Sequence, residues 1–116
     1  MIRLSFAVAA ALLSASTCFA GVCSYQNGNA LLADCSSKAS TLKAFCIGYI
    51  EGVIDGLEVT GNITGAGQCL RYEVTGGQLM DVVVKSLRKN PETRHNAAAA
   101  LVVFAVANAF CSGDAA

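Results

Sequence analysis

The stretch Phe45–Glu58, FCIGYIEGVIDGLE, limits the fold more than any other part of the chain, because its spacing suits a helix with one apolar side and little else. Leu42, Phe45, Cys46, Tyr49, Ile50, Val53, Ile54 and Leu57 recur at three- and four-residue intervals, which sets them along one side of a 3.6-residue period. Lys43, Glu51, Asp55 and Glu58 fall mainly on the other side. Gly48, Gly52 and Gly56 follow at i+4 steps and line a groove free of side chains. Glycine costs a helix interior about 1 kcal/mol relative to alanine, so three in register imply contact with another backbone. The default reading is close packing inside one bundle; the alternative is a face for a second protein or a second copy. Membrane helices use similar ladders, but Glu51, Asp55 and Glu58 make this a poor spanning segment.

The N-terminus has the pattern of a segment that is removed. Arg3 gives a basic start, Phe6 to Leu13 is an unbroken apolar run, and Cys18-Phe19-Ala20 ends in a small residue. Residues 1–20 are therefore expected to be a secretory signal peptide, and that run is too short to span a bilayer. Of 116 residues, removing 20 leaves 96, residues 21–116, enough for one domain. The expected location is the periplasm, with no membrane attachment once the signal is cleaved.

Lys and Arg number 8, as do Asp and Glu, so the formal net charge is +0 and no basic patch calls for nucleic acid. Of 6 cysteines, Cys18 leaves with the signal. In a small exported domain the remaining Cys23, Cys35, Cys46, Cys69 and Cys111 imply disulfides, with Cys23, near the new N-terminus, as the odd one.

Asn27-Gly28-Asn29 is a turn signal, and Asn29 is expected to cap a short first helix that ends at Ser36-Ser37-Lys38. Thr41 is placed as the cap of the second helix, which should stop near Val59 to Gly61 at the longest loop. Thr75 with Gln78 has the capping-box form and opens a third helix, whose stripe is Leu79, Val82, Val83 and Leu87. Asn90-Pro91 ends it, and Pro91 suits the first position of a fourth helix capped by Asn90. That helix runs through Ala97 to Ala107, apolar on every side, and so should be buried on every side, by the other helices or by a second subunit. Four short helices rarely enclose one of their own number, which favours a homodimer. The expected fold class is all-α: a four-helix, disulfide-linked domain.

Few residues could carry chemistry. No pair of mature cysteines has the close spacing of a zinc site and His95 stands alone, so no metal or other cofactor is expected. Disulfides account for the same residues: in an up-and-down bundle Cys35 lies near Cys46 and Cys69 near Cys111, although four cysteines allow three pairings. Glu51, Asp55 and Glu58 share a helix side, which more often marks a wet face than a catalytic pair. Nothing in the pattern argues for an enzyme.

FCIGYIEGV, the Cys69-Leu70 that precedes VTGGQLMDVVVKSL, then NPETRH and the closing Ala109-Phe110-Cys111 together resemble the Rap/Tai family of type VI secretion immunity proteins. The resemblance spans roughly residues 28 to 111. It implies a periplasmic, helical, often dimeric protein that neutralises a peptidoglycan amidase effector by occluding its cleft. Exposure and position single out Glu58, Asn62, Thr64, Gln68, Arg71 and Tyr72, in and beside the long loop, as the residues that would meet that partner. Two alternatives stand beside this one: a periplasmic acid-stress holdase, and a helical interaction domain of the same family without a toxin partner.

Overall fold

The computed structural model describes residues 25–59 and 73–111. Within them lie four α-helices and one short 3-10 turn: α1 (Gly28–Ser36), α2 (Ser40–Val59), α3 (Gly76–Lys89), the turn Pro91–Thr93 and α4 (Ala98–Phe110). The expected signal segment, Cys23 and the long loop lie outside the described residues.

Each helix contributes a row of residues at i+4 spacing to one core. Leu31 and Cys35 come from α1, Cys46, Ile50 and Ile54 from α2, Leu79, Val83 and Leu87 from α3, and Ala98, Val102 and Val106 from α4, joined by Ala105. Burying a Val, Leu or Ile side chain contributes about 1.5–3 kcal/mol, so these rows are the main cohesive force. The disulfide Cys35–Cys46, with Cα atoms 5.1 Å apart, ties the end of α1 to the start of α2. That pairing is the expected one. Across the same end, the Arg88 guanidinium donates to the Ser36 hydroxyl at 3.4 Å, linking α3 to α1.

The caps show which local signals decide the helix ends. Thr75 and Gln78 form the expected capping box: Gln78 N–H donates to Thr75 Oγ1 at 3.2 Å and Thr75 N–H to Gln78 Oε1 at 2.8 Å. Such a box satisfies two backbone donors that the helix leaves open. The first helix begins earlier than expected. Asn27, not Asn29, is its cap, accepting from Ala30 N–H at 2.9 Å. Thr41 likewise lies inside α2 rather than at its cap, since the helix starts at Ser40.

The largest departure is at the fourth helix. Pro91 opens only a 3-10 turn, and α4 starts at Ala98. The intervening backbone is diverted to the start of α1: Gly28 N–H donates to Asn96 O at 3.0 Å, Asn29 N–H to Arg94 O at 2.9 Å, and Ala98 N–H to Gln26 O at 2.9 Å. Asn27 and Ala97 form an antiparallel bridge there. With the Arg94 and Asn96 carbonyls turned toward the start of α1, the segment between Pro91 and Ala97 forms a clasp rather than the first turns of a helix. His95 therefore sits exposed on the clasp and not in a helical first turn. Asn90 does not cap the element that follows; it closes α3, its side-chain amide donating to Ser86 O at 2.9 Å.

Candidate partner-binding surface

Two expectations about buried surface are corrected by the fold, and both corrections expose apolar area. The apolar side of α2 is wider than its core contact. Cys46, Ile50 and Ile54 are buried, whereas Leu42 is 42% exposed, Phe45 44% and Val59 88%. The glycine ladder does not pack inside the bundle. Gly48, Gly52 and Gly56 are exposed, and a side chain added at any of the three would meet no described atom within 4 Å. The close approach between α2 and α3 is made at Gly76, where a Cβ would collide with the Glu51 carboxylate and the Ile47 side chain.

The outer side of α2 is thus a smooth strip. Leu42, Phe45, Gly48, Gly52, Gly56 and Val59 run along it, with Tyr49 half-buried at its edge. The Phe45 and Tyr49 rings lie 6.4 Å apart between centroids and tilted by 32°, a spacing at which aromatic pairs attract. Each therefore helps hold the other in place beside the glycine groove. Glu51, Asp55 and Glu58 are exposed on the flank of the strip.

The second exposed apolar feature is on α4, which is not buried all round. Phe104 is 56% exposed, and with Ala100 and Asn108 it forms an outward-facing line. It lines a groove of about 440 Å³ between α3 and α4, with Val82 on its wall and Lys85 and Lys89 among its polar lining. Asn108, a polar residue in an otherwise greasy helix, is the sequence signal for that wet side.

Of the six residues singled out for a partner, Glu58 is exposed in the last turn of α2. Asn62, Thr64, Gln68, Arg71 and Tyr72 lie outside the described residues. Cys111 is disulfide-bonded. Its partner is outside the described residues, as is Cys69. Among the described residues no group of three or more His, Cys, Asp or Glu side chains is placed to hold a metal ion, and none of the helices is long and apolar enough to cross a membrane.

What this arrangement offers is fixed surface. The helices are tied by a core and a disulfide, so a partner that docks on them need order few groups, and ordering is a main cost of association. A family model described as Rap1a immunity proteins matches residues 27–111. Those bounds run from the N-cap of α1 to the C-cap of α4 and take in the whole helical domain. No curated protein and no solved structure matches the chain.

Proposed function

The chain belongs to the Rap1a immunity protein family, and from that premise we propose that it is a periplasmic immunity protein that binds and occludes a peptidoglycan amidase effector of a type VI secretion system. The observation that carries this reading is the family match from cap to cap of the helical domain. Blocking a cleft requires a rigid body and an exposed surface rather than a reacting group. In this reading the protein performs no chemistry of its own.

The contacts in the proposed complex are Glu58, at the exposed end of α2, together with Asn62, Thr64, Gln68, Arg71 and Tyr72 in the segment that follows. Cys69 is our assignment for the partner of the bonded Cys111, which would anchor that segment to the end of α4. Export through cleavage of residues 1–20, and action as a homodimer, belong to the same reading.

Cells directed to send a type VI peptidoglycan amidase effector to their own periplasm provide the test. Co-expression of this chain with its leader should preserve growth, and co-expression without the leader should not. Lysis in both cases would overturn the reading. Suppressed aggregation of unrelated proteins at low pH, with no protection against the amidase, would favour the holdase instead.

A further inference from the structure

The groove between α3 and α4 sets an apolar wall beside positive charge that nothing in the described domain answers. Val82, Phe104, Ala105 and Ala109 line it, and Lys85 and Lys89 stand one helical turn apart on its α3 side. Phe104 is 56% exposed, so the largest apolar group of the groove is largely uncovered. α4 carries no charged residue from Ala98 to Phe110, and among the described residues no acidic side chain lines the groove. Asp81, one turn before Lys85, is exposed and lies outside the lining. Arg88, the third cation of this stretch, is committed to the Ser36 hydroxyl on α1. Like charges four residues apart on a helix repel, and an anion seated between them relieves that repulsion.

We propose that this groove docks an acidic segment of the effector, one that lays an apolar side chain against Phe104 and sets carboxylates beside Lys85 and Lys89. The proposal deepens the effector-binding reading above, rests on it for the identity of the partner, and adds the α3–α4 groove to the contacts named there. Covering Phe104 supplies the non-directional part of the affinity, and the lysines select the sign of the partner's charge. The two terms reinforce each other, because a side chain that covers Phe104 also keeps water from the ion pairs beside it. Two copies of this chain meeting groove to groove would bring their lysines together. A bilayer surface fits less well than a peptide segment, since the apolar wall borders a concavity of about 440 Å³ that a side chain can enter and a planar surface leaves partly empty.

Two measurements on the full chain test this. In the first, the isotope-labelled protein is titrated with a capped peptide alternating Glu and Leu, and separately with its counterpart alternating Lys and Leu. The acidic peptide should shift the amide resonances of Lys85, Lys89 and Phe104, and the basic one should not. In the second, the dissociation constant for a type VI peptidoglycan amidase effector is read by surface plasmon resonance. Reversing both lysines, Lys85→Glu with Lys89→Glu, should raise it by about tenfold or more, and Phe104→Ser by about tenfold. Reversing Lys38 and Lys43, exposed at and just before the start of α2, should leave it unchanged. All of these positions are exposed, so the helical circular dichroism should match that of the parent; Lys85→Gln with Lys89→Gln, which removes the charge without reversing it, should give an intermediate constant. An acidic peptide that shifts no groove resonance would overturn the proposal, as would an affinity unchanged by the lysine reversal or lost equally in the Lys38 and Lys43 variant. Capture by phosphatidylglycerol vesicles that the reversal abolishes, with both peptides silent, would overturn it in favour of a membrane surface. Acidic peptide in the groove of a chain that binds no amidase effector removes the amidase as partner and leaves the groove a site for acidic segments; amidase binding indifferent to the lysine reversal and to Phe104→Ser does the reverse.

Discussion

A methyl group at Gly28 would have nowhere to go. Its Cβ would lie 2.8 Å from the Arg94 carbonyl oxygen and 2.5 Å from Leu101 Cδ1, and the carbonyl is held by Asn29 N–H. Gly28→Ala is expected to lower stability by about 1–3 kcal/mol, the usual range for overpacking, as read from the urea midpoint. An unchanged midpoint would mean that the clasp yields easily. Residue-level signals were legible in the sequence where their cause is local. Thr75 and Gln78 announce a capping box because the two partners are three residues apart. Gly28 announces only a turn, because the reason it must be glycine stands on the far side of the domain, at Arg94 and Leu101. The cap at Asn27 was hidden for the same reason: the start of α1 is fixed by hydrogen bonds to Arg94 and Asn96 as much as by its own residues.

For the elements, periodicity, cap signals and one continuous apolar run found the four helices but not what each side of them meets. In α3 the polar and apolar sides differ sharply, so Leu79, Val83 and Leu87 could be read as core directly. In α2 the apolar side is wider than the core contact and α4 is apolar nearly all round, so periodicity alone does not separate core from open surface. Phe45 and Ile50 look alike in the sequence, yet one is 44% exposed and the other 0%. The glycine ladder was legible as a smooth side of the helix but not as one that faces outward. The Cys35–Cys46 bridge was legible because a short turn between α1 and α2 leaves the two residues little choice of position. Replacing both with serine should cost about 2–4 kcal/mol. Thermal unfolding of the double variant, followed by helical circular dichroism, checks this; a melting temperature equal to that of the parent would mean that the core alone holds the α1–α2 corner.

At the scale of the whole molecule, the family match covers the domain from Asn27 to Cys111 and takes in every described helix. Of the candidate contact residues, Glu58 stands exposed in the last turn of α2, and Asn62, Thr64, Gln68, Arg71 and Tyr72 lie outside the described residues. The sequence around them carries no periodicity, so they were singled out by position rather than by pattern. The central claim is that the protein acts by occupying its target and is not consumed or turned over in doing so. The direct measurement is peptidoglycan cleavage by a type VI amidase effector as this protein is titrated in. Cleavage should fall linearly to zero at a fixed small-integer ratio of the two proteins and stay at zero on prolonged incubation, with the protein recovered intact. Full activity at a large molar excess of this protein, or inhibition at a small fraction of the amidase concentration that deepens with time, would contradict it.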